Sequence, residues 1–137
     1  MSSTIKINTS GIKAAEEDIL RALGLTALGL QKRVRDADVV PRDTGQLEDV
    51  KFYVDDSRID AGVVSLVFEG PYARRLYYHP EYNFHREPWT DSQGRNHDGN
   101  PNAQGLWMSL WEPGGIYADV PQEIFEEIIQ QIMGGSL

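Results

Sequence analysis

The hydrophobic period changes twice along this chain, and that alternation restricts the fold more than any single motif does. Over 12–37, Ile12, Ala15, Ile19, Leu23, Leu30, Val34 and Ala37 recur at the spacings of one helical face. The acids Glu16, Glu17 and Asp18 lie toward the start of this segment and Lys32, Arg33 and Arg35 toward its end, the order that suits a helix dipole. Thr9 or Ser10 is the expected N-cap, Gly24 and Gly29 weaken the helix, and Pro41 stops it. Past the turn formers of "PRDTG" the period falls to two. Val50, Phe52 and Val54 alternate with Lys51, Tyr53 and Asp55, and "GVVSLVF" follows after the loop "DDSRIDAG", which predicts an antiparallel hairpin. The helical period returns near the end. Ile124, Phe125, Ile128, Ile129, Ile132 and Met133 form an apolar stripe behind a capping-box-like Asp119 and Gln122 with Pro121 in the first turn, closed by Gly134 and Gly135.

A lone hairpin is marginal in water, so its apolar face needs the helices. The expected fold class is therefore α+β: a long N-terminal helix and a C-terminal helix packed on a small antiparallel sheet built around a β-hairpin. The 137 residues make one domain, 1–137, interrupted by a long polar loop at about 81–104 rich in turn formers, "DSQGRNHDGNPN". Loops of that length are usually functional or disordered. This one is expected to be mobile until it meets a neighbour.

Composition removes several functions. A formal net charge of -8 argues against a protein whose main work is to grip nucleic acid. The absence of cysteine removes disulfides, thiolate zinc sites and cysteine nucleophiles. No apolar run approaches the roughly 20 residues that cross a bilayer, so the chain is expected to be made in the cytoplasm. His79, His85 and His97 with nearby acids are the one cluster with metal-ligand chemistry, yet their spacing matches no helical His pair, and "DSQGRNHDGN" lacks the ordered oxygens of a calcium loop. There is no nucleophile elbow and no phosphate-binding glycine loop. No catalytic residue, cofactor or metal is expected.

One stretch stands apart. "PYARRLYYHPEYNFH", 71–85, holds four tyrosines, two arginines and two histidines, and "YARRLYY" has the length of about two helical turns. Trp107 and Trp111 follow at the i, i+4 spacing of a helical face. Tyr, Trp and Arg are enriched at the buried centres of protein interfaces, and they serve equally as core. Arg74, Arg75, Tyr77, Tyr78, His79, Trp107 and Trp111 are the candidates to form subunit or partner contacts or to brace them.

The order of three motifs, "VPRDTGQLEDV", "GPYARRLYYHPEYNF" and "NPNAQGLWMSLW", resembles the minor capsid proteins of tailed phages that belong to the neck, or tail-completion, proteins at the head-tail junction. The resemblance runs over about 40–111. Its matching positions are Pro41, Asp43, Thr44, Gly45 and Leu47, then Pro71, Tyr72, Ala73, Tyr77, Tyr78 and His79, then Asn102, Gly105, Leu106, Trp107 and Trp111. The loop "HREPWTDSQGRNHDG" is longer than the family pattern. The resemblance implies a non-enzymatic virion protein that forms a ring in the neck and joins a DNA-filled head to a tail. Its implied partners are itself, the adjacent head-completion or adaptor protein, and the tail terminator or tail tube, with DNA passing only through the channel. Acids such as Glu123, Glu126 and Glu127 are candidates for the wall of that channel. The alternatives are a tail terminator, a head-closing stopper, or a metal-dependent nuclease built on the histidines.

Overall fold

In the computed structural model, residues 2–4, 7–9, 12, 14–39, 52–69, 77–79 and 86–134 are described. The proposed turn residues Pro41, Asp43, Thr44, Gly45 and Leu47, and Pro71, Tyr72, Arg74, Arg75 and His85, lie outside them. The fold is α+β. Strand β1 (Ser2–Thr4) precedes helix α1 (Glu16–Ala37), strands β2 (Phe52–Asp55) and β3 (Ser65–Phe68) form the hairpin, β4 (Trp89–Thr90) and β5 (Asn96–His97) form a second small ladder, and helix α2 (Val120–Gly134) closes the chain.

β3 is the centre of a three-stranded antiparallel sheet, with β2 on one side and β1 on the other. Its register pairs Phe52 with Phe68 and Val54 with Leu66, so the apolar side chains of both strands share the face turned to the core. β1 pairs Ser2 with Val67 and Thr4 with Ser65. Nothing in "SST" has a strand's apolar alternation, and backbone pairing alone makes it a strand. The hairpin loop is fixed at its start by Asp55, whose Oδ1 accepts from the Ser57 amide at 2.9 Å, and at its end by Gly62 at φ 77°.

α1 runs as one α-helix, with its core face formed by Leu23, Ala27, Leu30 and Val34. It begins four residues later than the apolar pattern, and Ala15 is the N-cap with no side-chain hydrogen bond; Thr9 does not serve, and Ser10 lies outside the described residues. The first-turn acids remain to favour that end. The C-cap is Asp38, left-handed at φ 57°, and its amide bonds the Arg35 carbonyl at 3.1 Å. The two glycines read as weak points have a packing use. A Cβ on Gly24 would come within 3.2 Å of Ile59 Cδ1, and one on Gly29 within 3.3 Å of Ile124 Cγ2. Gly29 thus lets α2 lie close along α1, where Ala22, Phe125 and Ile129 make a second small core. Accordingly α2 reaches the sheet mainly through α1. Thr26, fully buried in α1, satisfies its hydroxyl on the Ala22 carbonyl at 2.7 Å.

Gln122 does not act in the local cap that its spacing from Asp119 predicts. Its Oε1 accepts from the Asn8 amide at 2.8 Å and its Nε2 donates to the Asn8 carbonyl at 3.0 Å. A side-chain amide standing in for a strand partner ties the segment after β1 to α2. No helix among the described residues is long and apolar enough to cross a membrane.

Candidate functional site

The second and third motifs meet. Phe52 and Phe68 stack at 4.1 Å across the sheet, Phe68 meets Trp107 edge-on at 5.3 Å, Trp107 meets Tyr77 at 4.8 Å and 90°, and Tyr77 meets Tyr78 at 5.0 Å and 82°. The three edge-on spacings are those of favourable aromatic pairs, and the Phe52–Phe68 stack is closer than these. The column starts under α1, where the Arg35 guanidinium lies 5.5 Å from the Phe52 ring centre and donates to the Phe52 carbonyl at 3.2 Å. It ends in solvent at Tyr78, which is 57 % exposed. The Leu106 amide donates to the Tyr77 carbonyl at 2.8 Å, locking the start of the third motif to the end of the second.

This arrangement divides the contact set. Tyr77, Trp107 and Trp111 are buried within their own chain, Trp107 completely, so they brace a surface and do not form it. The segment Trp107–Trp111 is a 3-10 helix, and both indoles turn inward, Trp111 against Tyr117 at 5.4 Å. Gly105 is buried too. The physical reason is area: a ring of this size buried in a one-domain core stabilises more than one left for a partner. What reaches the surface is Tyr78, the partly exposed His79, and Leu106, which is held in the left-handed region at φ 50°. Burial raises the Tyr77 phenol to about 12, with the nearby Glu112 charge adding to the effect, so the ring stays neutral at any ordinary pH.

Over its described residues, 86–104, the long loop is held by two hubs. Asn100, buried, donates from Nδ2 to the Asp38 carbonyl at 2.7 Å and accepts from the Asn102 amide at 3.0 Å. With the Gln104 amide on the Val39 carbonyl and Arg86 Nε on the Ala103 carbonyl, it fastens the third motif to the end of α1. Asp91 organises the β4–β5 turn. Its Oδ1 accepts from the amides of Gln93 and Arg95, and its Oδ2 accepts from Arg95 Nε and His97 Nε2, all at 2.9 Å. The hydrogen bond from His97, then that from the Arg95 amide, pulls the Asp91 carboxyl down to about 2. His97 also stacks on Trp89 at 4.4 Å, which covers one face of the small ladder.

The histidine cluster divides accordingly: His97 is committed to Asp91, and no group of three His, Cys, Asp or Glu side chains among the described residues is placed to share a metal. In the sequence Asn100 is unmarked beyond its turn-forming chemistry, and Asp91 is marked only as one of the acids near the histidines.

Asp91 yields a prediction with a definite sign. A carboxyl depressed from 3.8 to about 2 adds order that is complete above its unfolded value and is lost as pH falls through the folded one. The β4–β5 turn should open between about pH 4 and pH 2, seen as loss of the Trp89 to His97 contact in nuclear Overhauser spectra. Asp91→Ala should open it at neutral pH while the melting temperature of the domain stays unchanged. A ladder that persists in the variant would mean that Trp89 and His97 hold it alone.

Compared with protein-family models, with curated proteins and with solved structures, the chain matches none.

Proposed function

We propose that the chain is a structural, non-enzymatic component of a tailed-phage neck, one subunit of a ring that joins the DNA-filled head to the tail within the virion. The observation that carries the reading is the junction of Tyr77 with Leu106 and Trp107. The described residues of two motifs of the resemblance, 77–79 of one and 102–111 of the other, meet in one unit whose interior is aromatic and whose outlet is Tyr78. A rigid, partly exposed aromatic backed by a packed core is the form that interface anchors take. Its neighbours in the particle would be further copies of itself, a head-completion or adaptor protein on one side, and a tail terminator or tail tube on the other.

The test is electron microscopy of a lysate from a phage in which this gene carries a stop codon. The expected result is filled or leaking heads lying apart from finished tails. Intact, infectious particles lacking the protein would overturn the reading.

A further inference from the structure

We propose that the outer face of α1 docks against the acidic outer face of α2 on a second copy of this chain; the inference rests on the ring reading above and gives that ring its joint. Arg21, Leu25, Leu28 and Lys32 fall at i, i+4, i+7 and i+11, a single stripe on the side of α1 opposite Leu23, Ala27, Leu30 and Val34. Leu25 is 40 % and Leu28 53 % exposed, the two largest apolar side chains on the outer side of α1. Both are leucines inside a helix whose other leucines are mostly in the core, on a face that solvent alone would leave polar.

The cations at the ends of the stripe are available to a partner. Lys32 meets Asp36 at 2.9 Å, but both side chains are largely exposed, and such a pair contributes little and exchanges readily. Arg21 and the adjacent Arg33 are exposed as well.

The complementary face is on α2. Its solvent side carries Glu123, Glu126 and Glu127 with Gln130, Gln131 and the half-exposed Met133, and the helix has no Lys, Arg or His anywhere in its fifteen residues. Neither face suits itself. Two copies of the α1 stripe would bring Arg21 and Lys32 together, and two copies of the α2 face would oppose carboxylates. Copies with a net charge of -8 repel one another in general, and the stripe, where Arg21 and Lys32 offset Glu17 and Asp36, is a face that adds nothing to that repulsion. A contact between two different faces repeats head to tail and closes into a ring when its rotation allows. The assignment moves Glu123, Glu126 and Glu127 from a channel wall to a subunit joint.

Charge reversal tests the pairing on purified full-length protein by sedimentation from micromolar to millimolar concentration. One variant carries Arg21→Glu and Lys32→Glu, the other Glu123→Lys and Glu126→Lys. All four positions are exposed, and a circular dichroism melt checks that each variant folds. The expected result is concentration-dependent assembly of the unaltered protein and self-association roughly tenfold to a hundredfold weaker in either variant alone, because like charges then face each other. Mixing the two variants should restore assembly, since each reversed face finds its new complement in the other. A protein that stays monomeric throughout, variants that assemble undiminished, or a mixture that fails to assemble would each overturn the contact. Binding of the α1 stripe to short duplex DNA with no self-association would overturn it in favour of nucleic acid. The neck reading is judged on phage particles, so the two proposals fail separately.

Discussion

Replacing Trp107 with alanine is expected to remove about 3 to 5 kcal/mol of folding stability. The indole is fully buried and joins the sheet, through Phe68, to the second motif, through Tyr77. Removing it empties the middle of the aromatic column, and neighbours held by a strand ladder and by the Leu106 to Tyr77 hydrogen bond have little freedom to collapse into the space. Against a total of roughly 5 to 15 kcal/mol for a domain, that loss leaves a protein near its folding threshold. The check is the urea midpoint at constant slope. Trp107→Phe should cost distinctly less, for two reasons. It keeps a ring to meet Phe68, and it removes the indole Nε1–H, which is buried with no acceptor among the described residues. If Trp107→Ala cost less than about 1 kcal/mol, the value of an average substitution, the column would be a set of adjacent rings without a structural role.

How much of this was legible in the sequence depends on how local the determining physics is. α1 and α2 follow from a 3.6-residue apolar period, β2 from alternation and β3 from a run of β-branched and aromatic residues; those patterns record burial, which is what built the elements. β1 is a different case: Ser3 pairs opposite Leu66 because β3 has an edge to offer, a fact held by the partner and not by the strand. Gln122 misled for the same reason. Its spacing from Asp119 is that of a local cap, while its amide is engaged 114 residues away on Asn8. Gly24 and Gly29 read as helix breakers because propensity is a single-residue property, whereas their use is the approach of Ile59 and Ile124. The tryptophans expose a further limit. Their spacing showed that they share a face, but the same residues serve cores and interfaces, so only the fold could separate buried Trp107 and Trp111 from exposed Tyr78. The candidate contacts Leu25 and Leu28 were hidden by the opposite effect, since a strong core pattern on one side of α1 drew attention from the leucines outside it.

Gly115→Ala is the second substitution expected to be severe, and it isolates backbone packing from side-chain packing. "WEPGGIYAD" reads as a generic turn in which either glycine supplies flexibility. The structure separates the two. Gly114 has φ 91° with open space around it, so alanine there incurs only the strain of a left-handed backbone, about 1 kcal/mol. A Cβ on Gly115 would overlap the carbonyl oxygens of Ser109 and Leu110 and lie 2.6 Å from the Leu110 carbonyl carbon, all backbone atoms that no rotamer change can clear. Relief requires the turn to move off the Trp107–Trp111 helix, which breaks the Tyr117 amide to Leu110 carbonyl bond at 2.7 Å and strips Tyr117 from Trp111. The loss of the Tyr117 ring from buried Trp111 and of a backbone hydrogen bond, with the backbone displacement itself, puts the expected cost at roughly 3 kcal/mol or more, several times that of Gly114→Ala. Paired denaturation curves of the two variants decide it. Equal costs would mean that the turn yields as a unit and that close approach at Gly115 is incidental; a large difference makes this glycine, invisible as such in the sequence, the point where the segment before α2 is pressed against the aromatic core.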